Sequence, residues 1–241
     1  MKLQVFSDLH FEFHKDKGDA FISNMNPEGV DVLLLCGDIA TPNTYERPLE
    51  LICERFKRVL MVVGNHELYG SSFPEMKKKL IYFQSNHPNF TFMDNDIVEI
   101  EGQRFLGTTL WFRDHPDNFW YSRQMNDFSQ IKDFHKNVYK ENEKAINFLT
   151  QEMKEGDIIL THHAPSKLCQ MKRYGTNSLD RFYICEMDDL ILERNPKAWA
   201  YGHTHSSVNF KIGETKIISN PFGYKDYQEN KEWIKDFVVE V

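Results

Sequence analysis

Residues 32–38 read VLLLCGD, a short branched apolar run that is closed by a glycine and an aspartate. An apolar run of this length, bounded by a turn residue, is typical of a buried strand. Similar runs lie on either side, at residues 3–6 before Asp8 and at residues 59–63 before Gly64 and Asn65. We therefore predict three short strands, each of which ends next to a polar side chain.

The segment between the second and third runs has the spacing of a helix. Within residues 45–56, Leu49, Ile52, Cys53 and Phe56 recur at steps of three and four, which predicts an amphipathic helix. A strand, helix, strand order implies a parallel pair with a right-handed crossover. The same reasoning predicts further helices at residues 73–86 and 134–154, strands at 158–161 and 198–201, and short alternating segments at 208–212, 216–219 and 237–241. The expected fold class is α/β, with antiparallel β structure at the end of the chain.

Length and composition indicate a soluble globular protein. The chain has 241 residues, 41% of them hydrophobic and 27% charged, which is enough for a full core and is unlike disordered or fibrous chains. We expect one domain over residues 1–241. The four cysteines form no C-x-x-C pair and are interpreted as reduced and structural.

Charge and hydropathy restrict the partners and the location. The net charge of −7 disfavours broad nucleic-acid binding, although a local basic patch stays open. The apolar runs are too short for a membrane span, and the first ten residues do not resemble a secretory signal. We expect no membrane contact and a cytoplasmic location.

Residues 111–131 do not follow the alternation of strand and helix patterns seen in the rest of the chain. They carry many aromatic side chains, among them Trp111, Phe119 and Trp120, between Arg, Asp and Asn residues. A loop of this length usually serves as a lid or a binding surface. Packing into a small aromatic core under a surface loop explains the pattern equally well, so both interpretations stay open.

Asp, Asn and His residues concentrate where the predicted strands end. The carboxyl ends of strands form the ligand crevice of open α/β sheets, so these side chains should converge although they span about 200 residues. Any one of the pieces would be weak evidence alone, but five in one chain are not. The pieces are Asp8-Leu9-His10, Gly37-Asp38, Gly64-Asn65-His66-Glu67, His162-His163 and Gly202-His203-Thr204-His205.

This donor set is that of a divalent metal site. Carboxylate, amide oxygen and imidazole together suit manganese, iron or zinc better than calcium, and a carboxylate such as Asp38 has two oxygens with which to bridge two ions. Motifs of competing enzyme classes are missing from the sequence: there is no G-x-S-x-G elbow, no Walker-type phosphate loop and no H-E-x-x-H.

The ordered blocks D-x-H, G-D, G-N-H-[ED], H and G-H-x-H resemble the signature of the calcineurin-like binuclear metallophosphoesterases. The resemblance runs from Asp8 to His205, and smaller similarities such as Asn126-Asp127-Phe128, Thr161-His162-His163-Ala164-Pro165 and Asn220-Pro221 look like a bacterial phosphohydrolase branch. It implies a four-layer αββα sandwich, in which two mixed β-sheets lie face to face with helices outside.

The resemblance also implies roles for individual residues. Asp8, His10, Asp38 and His205 would hold the first of two divalent metals. Asp38, Asn65, His162 and His203 would hold the second. Hydrolysis of a phosphoester, either a phosphodiester or a phosphomonoester, would then proceed by attack of a metal-bridging hydroxide. His66 would stand free of the metals as general acid.

The chain departs from the protein phosphatases of that family after Gly37-Asp38. Their second aspartate, which orients the catalytic histidine, is replaced here by Thr41, so the partner of His66 is left open. Their Arg-Gly pair is also missing, since the chain has Thr41-Pro42-Asn43 instead, which makes a phosphoprotein substrate less expected than a small or nucleotide-like ester.

Basic side chains in the aromatic segment and after the histidine pair could contact the substrate. Arg113, Arg123, Lys172 and Arg173 are candidate phosphate-binding residues, although solvated surface charge is favoured over phosphate binding for any one of them alone. Trp111, Phe119 or Trp120 are candidates for stacking on a nucleobase. The alternatives to a small-ester hydrolase are a metal-dependent nuclease and, less expected because His66 is present, a non-catalytic interaction scaffold. The sequence indicates neither the oligomeric state nor the metals.

Overall fold

The predicted strands assemble into two mixed β-sheets in the computed structural model, which describes residues 1–170 and 178–241. The strands of the described residues are β1 Lys2–Phe6, β2 Val32–Cys36, β3 Val59–Val62, β4 Phe90–Phe92, β5 Asp96–Ile100, β6 Gln103–Gly107, β7 Ile158–Leu160, β8 Ala198–Ala200, β9 Val208–Ile212, β10 Thr215–Ser219, β11 Gly223–Tyr224, β12 Gln228–Glu229 and β13 Val238–Glu240.

The first sheet has the order β13-β1-β2-β3-β4, and the second has the order β5-β6-β7-β8-β10-β9. In the first sheet β1 to β4 are parallel, and β13 is antiparallel to β1. In the second, β6, β7, β8 and β10 are parallel, with β5 and β9 antiparallel at the edges. Strands β11 and β12 form a separate hairpin.

Helices cover the outer faces of both sheets. The α-helices of the described residues are α1 Asp19–Ser23, α2 Glu46–Arg55, α3 Phe73–Asn86, α4 Asn118–Tyr121, α5 Asp127–Gln130, α6 Phe134–Glu152 and α7 Asp188–Arg194. Short 3-10 helices lie at Phe11–Phe13, His66–Leu68, Ser122–Gln124, Lys167–Cys169 and Asp180–Phe182.

The alternation of side chains along β2 shows how the layers form. Val32, Leu34 and Cys36 point into the core between the two sheets. Leu33 and Leu35 point the other way, into the core that contains the apolar side chains of α2 and α3. All five are fully buried, and each buried aliphatic side chain contributes about 1.5–3 kcal/mol of transfer free energy.

A third core completes the layers. It joins the outer face of the second sheet, including Trp199 and Ile217, to Leu149 of α6 and Ile191 of α7. The expected four-layer αββα architecture is confirmed. The prediction of one domain over residues 1–241 stays a prediction.

The local predictions are largely confirmed. Helix α3 begins where expected, because the Ser72 side chain accepts a hydrogen bond from the Glu75 N–H and Pro74 occupies the first turn. Strands β2 and β3 are parallel, as the strand, helix, strand order implied. No helix within residues 1–170 and 178–241 has the length and hydropathy that crossing a bilayer requires.

The end of the chain differs from the prediction of antiparallel structure. Strands β9 and β10 do form an antiparallel hairpin, but β10 also pairs in parallel with β8. Strand β13 belongs to the first sheet, where it pairs with β1. Strands β4, β5 and β6 were not predicted from the sequence; β5 alternates poorly because it is an exposed edge strand.

Candidate metal centre

The polar residues that end the strands converge at one edge of the two sheets. Asp8, Asp38 and Asn65 follow β1, β2 and β3 of the first sheet, and His162 follows β7 of the second. His203 and His205 follow β8. Because the parallel strands of both sheets present their carboxyl ends at this edge, residues far apart in sequence become neighbours.

The backbone at this edge is strained. Five of the predicted ligands have φ between 46° and 68°, in the left-handed region that residues with a Cβ avoid. Such conformations cost on the order of 1–3 kcal/mol each and occur mainly at functional sites. The five are Asp8, His10, Asp38, His203 and His205.

Two glycines let the strand ends approach closely. A Cβ on Gly64 would collide with the Asp38 carboxylate and the His162 ring, and one on Gly202 would lie 2.7 Å from the Cys36 carbonyl oxygen. Glycine at these positions is therefore required by the closeness of the donor groups.

The first cluster of donors contains Asp8, His10 and His205. The Nε2 atom of His205 lies 3.2 Å from Asp8 Oδ1 and 3.2 Å from His10 Nε2. His10 Nε2 also lies 3.8 Å from Oδ2 of Asp38. With Asp38, these are the side chains that the resemblance assigned to the first metal.

The second cluster contains Asp38, Asn65, His162 and His203. The Nε2 atom of His162 lies 3.1 Å from Asn65 Oδ1, 3.1 Å from His203 Nδ1 and 3.6 Å from Asp38 Oδ2. The Oδ2 atom of Asp38 therefore faces both clusters, which places this carboxylate between the two predicted metal positions.

The donor atoms fit divalent metal ions. In each of three groups the ligand atoms lie within 4.8 Å of one another: Asp8 with His10 and His205, Asp38 with His162 and His203, and Asp38 with His10 and His66. Two imidazole nitrogens that face each other at about 3 Å cannot both carry a proton, and both can donate lone pairs to a cation. The buried Nε2 atom of His203 makes no hydrogen bond within the described part of the chain.

Electrostatics in this crevice also favour a cation. Burial lowers the pKa of His10 to about 3 and that of His162 to about 4, so both rings are neutral and available as ligands. Burial and the neighbouring Glu67 and Asp8 charges raise the pKa of Asp38. A divalent ion would relieve this crowding of negative charge.

Glu67 fixes the loop that carries Asp38. Its fully buried carboxylate accepts hydrogen bonds from the N–H groups of Asp38, Ile39, Ala40 and Gly64 at 2.6–3.2 Å. Burial raises the pKa of Glu67 to about 7 although these four donors oppose the shift. The acidic residue of the G-N-H-E block therefore ties the second and third strand ends together.

His66 lies beside the first cluster, between His10, Tyr69 and Tyr224. Its Nδ1 atom lies 2.8 Å from Glu12 Oε1, and its Nε2 atom lies 3.3 Å from the Tyr224 hydroxyl. The backbone N–H of His66 donates to Asp38 Oδ1 at 2.8 Å. The ring is thus held from both nitrogens, and Nε2 faces Tyr224.

Glu12 is the partner of His66 that the sequence left open. Its Oε1 atom also lies 3.2 Å from His10 Nδ1, so one carboxylate oxygen contacts two histidines. Burial opposes its ionisation, but hydrogen bonds with His10 and His66 lower the pKa of Glu12 to about 2. Glu12 was not predicted from the sequence, although its spacing in Asp8-x-His10-x-Glu12 is a signal that could have found it. Thr41 bonds Thr44 instead.

Asp127 positions the Asn65 amide. Its Oδ1 atom accepts hydrogen bonds from Asn65 Nδ2 at 2.9 Å and from the Tyr69 hydroxyl at 2.8 Å. This fixes the amide so that Asn65 Oδ1 faces His162. The short motif Asn126-Asp127-Phe128 thus reaches the centre from α5.

A cavity of about 290 Å³ opens onto the centre. Its walls include Tyr69, Tyr183 and Tyr224 together with residues of the segment 124–127, and Asp38, Asn65, His203 and His205 contribute to its floor.

The structure describes two of the four candidate substrate contacts, Arg113 and Arg123. Arg113 is exposed and lines a neighbouring cavity with His115, Lys167 and Arg181. Arg123 is exposed on the 3-10 helix that precedes the cavity wall. Lys172 and Arg173 lie outside the described residues. Binding of phosphate by these four side chains stays a prediction.

The aromatic segment at residues 111–131 divides into two parts. Trp111 and Phe112 are buried and pack against Phe134, as the packing interpretation holds. Phe119 and Trp120 are 65% and 72% exposed. Trp111 is therefore not accessible for stacking on a base, whereas the other two are.

Comparisons with known proteins agree with this geometry. A family model described as calcineurin-like phosphoesterase matches residues 1–207. An uncharacterized protein, L509, of Acanthamoeba polyphaga mimivirus is 28% identical, over 95% of this chain and 93% of its own.

Solved structures also share the fold. One is a phosphopantetheinyl hydrolase of Mycobacterium tuberculosis, with a TM-score of 0.70 and 15% identity over 94% of this chain and 93% of its own. Another is GAP50, described as the anchor in the inner membrane complex of Plasmodium, with a TM-score of 0.50 and 12% identity over 100% and 88%.

Proposed function

Because the chain belongs to the calcineurin-like phosphoesterase family, we propose that it hydrolyses a small phosphoester at a centre of two divalent metal ions. The observation that carries the proposal is the pair of buried donor clusters that meet at Asp38, with His66 beside them.

The seven strand-end residues would hold the ions. Asp8, His10 and His205 would ligate the first, Asn65, His162 and His203 the second, and the Asp38 carboxylate both. When bound, such ions polarise phosphoryl oxygens and supply a nucleophile at neutral pH. Manganese, iron and zinc all match a set of carboxylate, amide and imidazole donors.

His66 would protonate the leaving oxygen. Its Nδ1–H donates a hydrogen bond to Glu12 Oε1. The proton that moves to the leaving oxygen is therefore the one on Nε2. As the phosphorus–oxygen bond breaks, the bonding electron pair stays on the leaving oxygen, which receives this proton. General acid catalysis of this kind contributes about 10²–10⁴ in rate.

The cavity supports a small ester as substrate. Its volume of about 290 Å³ lies at the lower end of the range for small-molecule sites, and three tyrosines in its walls suit a leaving group with a planar portion. A nucleotide-like ester meets this description. Whether the enzyme prefers diesters or monoesters is an outcome of the test.

Hydrolysis of bis(4-nitrophenyl) phosphate and of 4-nitrophenyl phosphate tests the proposal, with the protein loaded with manganese, iron or zinc. We expect metal-dependent release of nitrophenol that a chelator abolishes. A folded protein that turns over neither ester with any of these metals would refute it. Faster cleavage of oligonucleotides than of either small ester would instead assign a nuclease.

A further inference from the structure

The segment after β10 brings a tyrosine into the centre from outside the part that the family model matches. Asn220 Nδ2 donates to the carbonyl oxygens of Val5 and Ile234 at 3.1 and 2.9 Å, and Pro221 forms a parallel bridge with Ser7. Residues 220–224 therefore run along the end of β1. The family match ends at residue 207, so this arrangement lies beyond it.

The hairpin that follows is tied to the ligand loop. The Gly223 N–H donates to the Asp8 carbonyl oxygen at 2.9 Å, and β11 pairs with β12. Gly223 has φ +87°, and a Cβ there would collide with the Gln228 carbonyl oxygen, so the turn requires glycine. The next residue, Tyr224, is thereby held above Asp8 and His10.

Tyr224 packs against both the first cluster and His66. Its ring centroid lies 4.4 Å from that of His10 and 4.7 Å from that of His205. Phe13 contacts it edge to face at 5.3 Å and an interplanar angle of 82°. Such aromatic contacts restrict the ring, so the hydroxyl, 3.3 Å from His66 Nε2, has a fixed position in the cavity wall.

The position of this hydroxyl defines its possible partner. The pKa of a tyrosine hydroxyl is ordinarily about 10, so at neutral pH the hydroxyl carries its proton and acts as a donor. In the protein without substrate the O–H donates to Nε2 of His66. Because the hydroxyl lies 3.3 Å from Nε2, a leaving oxygen that accepts the Nε2 proton would come close to the Tyr224 O–H as well.

We propose that Tyr224 is a second catalytic residue on the leaving-group side, whose hydroxyl donates a hydrogen bond to the leaving oxygen while His66 delivers the proton. The inference rests on the proposed function. Tyr224 keeps its own proton throughout, so the proton balance of the reaction is unchanged. The hydrogen bond strengthens as negative charge develops on that oxygen, which is where a fixed donor lowers a barrier most.

The variant Tyr224→Phe tests this, with Tyr227→Phe as the matched control. Tyr227 lies in the same hairpin but is 88% exposed. Each protein is assayed on two phosphodiesters that differ only in the leaving atom, a phenol oxygen or a thiophenol sulfur. Sulfur accepts hydrogen bonds weakly and leaves as a thiolate without a proton.

We expect Tyr224→Phe to lower kcat for the oxygen ester by about 10- to 100-fold, with KM and metal content unchanged. The sulfur ester should lose less than about threefold, and Tyr227→Phe should behave as wild type on both. Equal losses on the two esters, a loss of metal, or a variant that does not fold would assign Tyr224 to packing and overturn the proposal, as would an unchanged kcat. A wild-type protein that cleaves neither ester would refute the proposed function itself.

Discussion

Replacing Glu12 by alanine removes the acceptor that the structure places between two histidines. The Oε1 atom of Glu12 lies 2.8 Å from His66 Nδ1 and 3.2 Å from His10 Nδ1. Hydrogen bonds to a charged group contribute about 1.5–3 kcal/mol. Because 1.36 kcal/mol corresponds to a factor of ten in rate, loss of the bond to His66 predicts a decrease in kcat of about 10- to 150-fold.

The contacts of Glu12 with His66 and with His10 have different effects that can be measured separately. Loss of the bond to His66 should slow esters with poor leaving groups, such as a phenyl ester, more than nitrophenyl esters, because only the former need an oriented acid. Loss of the bond to His10 should weaken metal affinity by about 10- to 100-fold, so kcat is measured at saturating metal and metal content is measured separately.

Glu12→Gln and Glu54→Ala are the matched variants. Glutamine keeps an acceptor oxygen without the charge and should recover part of the lost rate, whereas Glu54 is exposed on α2 and its replacement should have no effect. The reasoning is refuted if Glu12→Ala retains kcat within twofold, or if both classes of ester slow equally at full metal occupancy.

Three further substitutions test other parts of the site. His66→Ala should keep both metals yet lose about 10²–10⁴ in kcat for poor leaving groups; loss of metal in this variant, seen by elemental analysis, would show that His66 is a ligand. Glu67→Ala leaves four buried N–H groups without their acceptor and should lower the free energy of unfolding by about 3–5 kcal/mol in urea; a change below 1 kcal/mol would contradict that role. Asp127→Ala should weaken binding of one metal by about 10- to 100-fold, measured by titration calorimetry; unchanged affinity for both metals would remove Asp127 from the account.

The part of the fold that local patterns encode could be predicted from the sequence. Helix α3 has both its apolar spacing and its Ser72 cap within 15 residues, and β2 is a continuous apolar run because both its faces are buried. Strand β5 carries mostly exposed residues at a sheet edge, so it has no such pattern. The pairing of β13 with β1 joins residues more than 200 apart, which no local pattern specifies.

The residues of the site, too, could be predicted from the sequence only in part. The strand-end residues were predicted because parallel strands bring their carboxyl ends together whatever the sequence between them. Glu12 and Tyr224 were missed because their positions depend on a 3-10 turn after His10 and on a hairpin after Asn220. The spacing of Glu12 after His10 is visible in the sequence, but its contact with His66 depends on how two loops meet.

The metal content of the purified protein tests the central claim most directly. Elemental analysis of wild type after loading with manganese, iron or zinc should give about two ions per chain, and Asp38→Ala should retain neither ion tightly, because its carboxylate faces both clusters. A wild-type protein that binds no ion, or an Asp38→Ala variant that keeps both, would contradict it.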